Sequence, residues 1–452
     1  MECCLAQVRD VTGALLSGAH ANLANLRVRG WSVDSRTTNP GDLFFAIQGE
    51  RLDGNVFASA ALARGAVSAV VNEPVSFDNA PVLLVGDTVQ ALQSTAHWAR
   101  RTWGRPVVAI TGSAGKTSTK DIVAEILGVR FRVGKTAGNL NNHIGLPLSL
   151  LRIPNDAEIG VVEIGMNHAG EIRRLCRVCE PQVGVVTNVG YAHIEFFDSI
   201  EGIAAAKREL VESLPPGGTA VLSADDERVR TFKTAHAGRS ITYGVSPCAE
   251  IRAKKLESNS AGSRFTVNGI HFQTRLTGRH SVSNILAGLA VAIVFGIDLN
   301  DLTETVAQLS APKMRGERHV WQNVTVLNDS YNSNPEAARS MLDVLRDEPA
   351  QRRIAVLGEM LELGHMAENL HREVGAYAAH SGVDVLIGVR GASRFLVEEG
   401  RRAGLADSAA LFFETPELAG EFLRHSVRPG DAVLFKGSRG TRIELALAAM
   451  EG

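Results

Sequence analysis

With 452 residues the chain is too long for one hydrophobic core, so two or three domains are expected. A content of 45% hydrophobic and 21% charged residues is that of a soluble globular protein, and a formal net charge of -2 gives no electrostatic case for a nucleic acid or an acidic membrane surface. No apolar stretch approaches the ~20 residues that span a bilayer, the start MECCLAQVRD does not read as a signal peptide, and five cysteines, an odd number, fit a reducing cytoplasm.

The first hundred residues differ from the rest. Residues 31–49, WSVDSRTTNPGDLFFAIQG, contain a polar turn at Asp34-Ser35-Arg36, an Asn-Pro-Gly turn and an expected strand at 43–47. Helical spacing follows at 57–63, strands are expected at 66–71 and 82–85, and a helix ends near Trp103. Gly104-Arg105-Pro106 reads as a boundary.

From residue 107, strands and helices alternate. Apolar runs fall at 107–110, 160–164, 183–186 and 219–222, with helical patterns at 116–127, 171–178 and 200–214, the signature of βαβ units around a parallel sheet. Residues 251–276 are expected as an antiparallel patch, followed by a helix at 282–295. Beyond Ala311-Pro312, strands are expected at 324–327, 354–357, 385–389, 411–413 and 432–435, and helices at 336–345, 368–380, 394–399, 416–424 and 442–449. The expected fold is α/β in three domains: a smaller N-terminal α/β unit (1–104), a central P-loop unit on a parallel sheet (105–312) and a C-terminal, Rossmann-like doubly wound unit (313–452).

The most specific motif is ITGSAGKTSTK at 110–120. An apolar strand runs into a Gly/Ser turn, and Lys and Thr open a helix. Turn amides of Gly112, Ser113, Ala114 and Gly115 point at anionic oxygens, the helix N-terminus adds partial positive charge, Lys116 reaches the outer phosphates, and Thr117, followed by Ser118, is placed to ligate magnesium. The standard loop has a glycine where Ile110 stands, so this is a shorter form. A nucleoside triphosphate is the expected ligand.

Glu163 ends the next apolar strand, where an unpaired carboxylate is costly; it is a candidate magnesium ligand or a salt-bridged structural residue. His193, in TNVGYAHIEFF just beyond the following strand, is a candidate metal or phosphate contact, with a structural histidine as the alternative. Lys207 by itself reads as an exposed helix lysine. Asn139, Asn141 and Asn142 in GNLNNHIGLP are turn formers or hydrogen-bond donors to a polar substrate, and Asn284 in TGRHSVSN either reads an adenine edge or caps a helix. MRGERH carries Arg315 and Arg318 on a hinge, where arginine stabilises phosphoryl charge as domains close. Asp329 tops a strand in NDSYNSNP, and FKGSRG at 435–440 is an anion-binding or a plain αβ turn. The lone CxxC at Cys176 and Cys179 lacks a second ligand pair and reads as two neighbours on one helix face rather than a zinc or redox site.

TGSAGKTSTK, GNLNNHIGLPLSLL, EIGMNHAGEI, NVGYAHIEFF, IAAAKREL, GRHSVSNILAGLA, MRGER, DSYNSNPEA and KGSRG follow one another as in the Mur ligases, and DSRTTNPGDLFFAIQGERLDG resembles that family's nucleotide-sugar domain. The resemblance covers essentially the whole chain; folylpolyglutamate synthetases share the core motifs but lack this N-terminal domain. DSYNSNP, with Ser333 where Ala is commoner, resembles the members that add D-alanyl-D-alanine to a UDP-N-acetylmuramoyl-tripeptide, and no DNPR motif of the members that add the third amino acid is present. The alternative is such a sister ligase, which adds a single amino acid to the UDP-muramoyl dipeptide.

The resemblance implies a cytoplasmic, monomeric ligase of peptidoglycan precursor synthesis that uses ATP and Mg2+ and activates the tripeptide carboxylate as an acyl phosphate. It implies that Thr117 and Glu163 hold a first magnesium and that His193 and a carbamylated Lys207 serve a second. It further implies that Asn284 contacts adenine, that Arg315 and Asp329 hold ATP from the C-terminal side, and that Ser35, Arg36 and Asn142 meet the UDP-linked substrate.

Overall fold

The computed structural model describes residues 2–18, 22–49, 52–74 and 80–452; Met1, Glu50 and Arg51 of the motifs quoted above lie outside them. Runs such as Val107-Val108-Ala109-Ile110 are fully buried, which only a strand covered on both faces allows. They build a seven-stranded, all-parallel sheet in the order Ile251–Arg252, Arg239–Gly244, Thr219–Ser223, Val183–Val186, Val107–Thr111, Ile159–Glu163 and Val133–Lys135. The chain lays strands on one side of Val107–Thr111 and then on the other, so this strand marks the switch point where open α/β sheets bind ligands.

Helices cover both faces. Lys116–Gly128 packs against Arg279–Val294, a helix buried along most of its length, while Thr88–Trp103, Gly145–Leu151 and Glu171–Cys179 contact one another on the opposite side. Cys176 and Cys179 both face inward from the last of these helices as free, buried thiols.

The C-terminal sheet has six strands: Glu317–Trp321, Val324–Asp329, Asp431–Lys436, Arg352–Gly358, Val385–Val389 and Ala410–Phe413, parallel except for the first pair. The N-terminal sheet orders Leu15–Gly18, Pro81–Leu84, Ser68–Val71, Asp42–Phe45 and Gly30–Ser32, with only the outer Leu15–Gly18 antiparallel.

The sequence expectation omits strands Leu15–Gly18 and Val133–Lys135 and helices Leu5–Thr12 and Gly145–Leu151, and three further elements differ from it. Arg239–Gly244 and Glu317–Trp321 are strands that no apolar run announces; the second alternates between exposed and half-buried positions at a sheet edge. Ile251–Arg252 joins the parallel sheet, so the antiparallel patch is confined to Lys254–Asn259, Gly262–Val267 and Ile270–Thr274. Among the described residues, no helix is long and apolar enough to cross a membrane.

Candidate active site

The register of the central sheet brings three loops together. Glu163 pairs with Ile110, and Val186 pairs with Thr111, so the segments after strands Val107–Thr111, Ile159–Glu163 and Val183–Val186 leave the same edge side by side. The turn at 112–115 needs its glycines. Gly112 has φ 153°, and a methyl there would overlap Thr187 Oγ1; Gly115 has φ 80° and a methyl would stand 2.8 Å from Asn284 Oδ1. The turn is fastened to the third loop: Ser113 Oγ donates to the Gly190 carbonyl (2.9 Å) and accepts from its amide (2.8 Å), Ala114 N donates to Asn188 Oδ1 (2.8 Å), and Thr187 Oγ1 donates to Ala114 O (2.7 Å). Lys116 at the helix start curls back to donate from Nζ to Gly112 O (2.8 Å). Burial holds this lysine below its ordinary range, and the charge of Glu163 partly opposes that.

Glu163 is buried with both oxygens engaged. Thr117 Oγ1 donates to Oε2 and Asn141 Nδ2 to Oε1, each at 2.7 Å. Lys120 Nζ donates to the carbonyls of Thr136 (2.9 Å) and Gly138 (3.1 Å), bracing the loop that carries Asn141. Asn142 lines the same space, but its Oδ1 accepts from Ile144 N (3.2 Å) and Gly145 N (2.8 Å) and shapes the start of helix Gly145–Leu151. A hydroxyl beside a carboxylate is a hard-oxygen pair that fits magnesium. No group of three or more His, Cys, Asp or Glu among the described residues could hold a metal ion, so a cation here needs Thr117, phosphate oxygens and water as well.

His193 lies beyond strand Val183–Val186 at φ 65°, with Nδ1 2.6 Å from Glu362 Oε2, although the two are not aligned as a regular hydrogen bond. The contact with His193 keeps the Glu362 carboxyl below its usual range. Lys207, on helix Ile200–Glu212, is buried rather than exposed, and its ammonium has no hydrogen-bond or ion-pair partner among the described residues. Burial, and then the neighbouring charge of Lys116, push its pKa well below the ordinary lysine value.

Most of these residues border one cleft of about 1450 Å³ between the central and C-terminal sheets. Ser113, Ala114, Gly115, Lys116, Thr117, Ser118, Asn142, Glu163, His193, Asn284, Arg315 and Asp329 line it, whereas Gly112 and Lys207 do not. Asn284 Oδ1 accepts from Thr119 Oγ1 (3.1 Å). Arg315 stacks over the Tyr331 ring at 3.9 Å, and Asp329 is ion-paired with the buried Lys436 opposite it in the sheet register. Ser35 and Arg36 are not brought to this cleft; Arg36 is exposed and paired with Asp34 at 2.7 Å. Sequence reasoning missed Lys436, Tyr331, Asn334, Glu336 and Glu362. The first four lie in or beside motifs singled out above, whereas Glu362 sits in a loop with no motif of its own.

Models of the Mur ligase middle domain, the Mur ligase glutamate ligase domain and the Mur ligase family catalytic domain match residues 110–292, 314–439 and 27–102. A UDP-N-acetylmuramoyl-tripeptide--D-alanyl-D-alanine ligase of Bacillus subtilis is 34% identical over 424 residues, covering 92% of each chain. The chain belongs to the Mur ligase family. The Escherichia coli ligase of the same name is also 34% identical, over 99% of this Mur ligase and 98% of its own length. Among solved structures, MurF from Acinetobacter baumannii superposes with a TM-score of 0.91 at 27% identity, covering 100% of this chain and 99% of that one. MurF ligase from Thermotoga maritima in complex with ADP superposes with a TM-score of 0.83 at 29% identity, covering 94% and 97%.

Proposed function

We propose that the chain is an ATP-dependent ligase that joins D-alanyl-D-alanine to a UDP-N-acetylmuramoyl-tripeptide, releasing ADP and phosphate. The observation that most supports this is a Gly-rich turn followed by a helix whose Thr117 is hydrogen-bonded to the buried Glu163, in a cleft whose opposite wall comes from the C-terminal sheet. Relatives named for this activity align along at least 92% of either chain.

In this reading the turn at residues 112–115, with Lys116 and Ser118, holds the triphosphate; the amides of Ser113 and Ala114 donate instead to Asn188, so the amides offered to phosphate are those at the start of helix Lys116–Gly128. Asn284 faces adenine, and Arg315 and Asp329 hold the nucleotide from the C-terminal side. Ser35, Arg36 and Asn142 meet the UDP-linked substrate. Thr117 and Glu163 would hold Mg2+, which offsets phosphate charge so that a second anion can approach. His193 and Lys207 would serve a second Mg2+. The depressed Lys207 supports its carbamylation, because only a neutral amine adds to carbon dioxide. In that step the N–C bond forms, a proton leaves to solvent, and an anionic oxygen ligand takes the place of a neutral amine.

The chemistry runs in two displacements. A carboxylate oxygen of the tripeptide attacks the γ-phosphorus, and the bond to the β–γ bridging oxygen breaks, giving ADP and an acyl phosphate. The neutral amine of D-alanyl-D-alanine then adds to the acyl carbon, the tetrahedral adduct loses a proton from nitrogen, and phosphate departs to leave the amide. Lys116 and Arg315 offset the negative charge that gathers as the two anions meet. In this reading the enzyme acts as a cytoplasmic monomer.

Phosphate release tests this reading. Turnover is expected with UDP-muramoyl-tripeptide plus D-alanyl-D-alanine, carrying either diaminopimelate or lysine at the third position. Turnover only with UDP-muramoyl dipeptide and a free amino acid would instead assign the sister activity.

A further inference from the structure

We propose that Glu362 of the C-terminal domain is a positioning residue for His193 of the central domain: closure of the domains sets this carboxylate against the imidazole and fixes the ring that lines the reaction cleft. The inference rests on the metal role of His193 in the reading above.

Four observations meet at this contact. His193 Nδ1 is 2.6 Å from Glu362 Oε2, a close contact not aligned as a regular hydrogen bond, and the buried nitrogen has no hydrogen-bond partner among the described residues. Both residues adopt left-handed backbone, at φ 65° for His193 and 62° for Glu362, a conformation that non-glycine residues rarely hold unless surrounding contacts impose it. The backbones are tied beside the side chains, because Glu195 N donates to Glu362 O at 3.1 Å. Finally, the loop bearing Glu362 is held from behind: Leu361 N donates to Ser438 Oγ (2.9 Å), and Met360 N donates to Nε2 of the buried His371 (3.0 Å).

The chemistry of imidazole explains what such a contact does. A carboxylate at Nδ1 favours the proton on that nitrogen and leaves the Nε2 lone pair free for a cation, while stopping rotation of the ring. Here the carboxylate belongs to a different domain from the ring it orients. The C-terminal domain also grips the neighbouring backbone, through Tyr191 N donating to Glu336 Oε1 (3.2 Å) and Asn334 Nδ2 donating to Ser113 O (3.2 Å). Closure, the phosphate turn and the orientation of His193 are thereby linked through residues 188–196, so an open enzyme holds the ring unsupported.

Manganese binding to the full-length protein with ADP, followed by the electron paramagnetic resonance of free Mn2+, tests the proposal. The ion attributed to His193 is expected to be lost in His193→Ala, weakened about 10-fold in Glu362→Ala, and weakened less in Glu362→Gln, which keeps an oxygen acceptor without the charge. Melting curves establish that each variant is folded, and Glu362→Gln carries the test if the alanine variant is not. A Glu362→Ala affinity within about twofold of wild type, beside a weakened His193→Ala, overturns the positioning role and leaves the metal assignment standing. Unchanged binding in His193→Ala overturns the metal assignment itself, and the proposal with it.

Discussion

Thr117 Oγ1 donates a 2.7 Å hydrogen bond to Glu163 Oε2, joining the first turn of the helix after the Gly-rich turn to the end of the adjacent strand. The pairing of Glu163 with Ile110 dictates this meeting, since it sets the carboxylate level with the start of the turn. Asn141 takes the other oxygen, so the buried charge is satisfied while the hydroxyl and one carboxylate oxygen stay poised at the cleft.

Glu163→Gln is therefore expected to lower kcat by about 100-fold and to raise the Mg2+ concentration needed for half-maximal rate. Its melting temperature should stay close to wild type, because a neutral amide replaces a buried charge in nearly the same volume. Steady-state rates across a Mg2+ series measure this; an unchanged metal requirement would remove Glu163 from the cation site.

Lys207→Ala is expected to be folded and inactive, with partial recovery in formate or acetate. The amine it removes is buried with no anion partner among the described residues, so its loss breaks no polar contact. A small carboxylate can supply the oxygen that the carbamate would have offered. Full activity of the variant in the absence of added carboxylate contradicts the assignment.

Gly112→Ala is expected to abolish nucleotide binding and to destabilise the fold by roughly 1–3 kcal/mol, since the added methyl meets Thr187 Oγ1 and the backbone is at φ 153°. Gly217→Ala, where a methyl meets nothing within 4 Å, is the control and should match wild type. Calorimetric ADP titration and denaturant unfolding report the two effects separately.

His371 provides a pH test of the C-terminal domain. Its Nδ1 faces Ala367 O at 2.6 Å and its Nε2 accepts from Met360 N, an arrangement that only the neutral ring satisfies. Burial lowers its pKa below the ordinary 6.5. The folded state then binds fewer protons than the unfolded state between the two values, so the stabilisation is complete above 6.5 and is lost as pH falls through the folded value. His371→Leu should cost about 1–3 kcal/mol at pH 7.5 by orphaning the Met360 amide, and the gap to wild type should close on acidification. Equal gaps at pH 7.5 and in acid would contradict a neutral buried ring.

Much of this protein was readable along the chain because the signals are local. A strand covered on both faces must be apolar throughout, so Val107–Thr111, Ile159–Glu163 and Val183–Val186 announce themselves, and a phosphate loop is a contiguous turn whose glycines and lysine sit next to that strand. Edge strand Glu317–Trp321 has no such run, and it acquires its identity only by pairing with Val324–Asp329.

By itself, then, the sequence determined the α/β alternation, the Gly-rich turn before helix Lys116–Gly128, the family motifs and which residues carry chemically capable groups. Tertiary structure alone decided who partners whom: Asn141 with Glu163, Lys436 with Asp329, Glu362 with His193, and Lys207 with no polar partner among the described residues. The reason is physical. Helix and strand periodicity is written in neighbours a few residues apart, whereas the burial, charge and pKa of a site depend on groups brought together from distant segments by sheet register and domain docking.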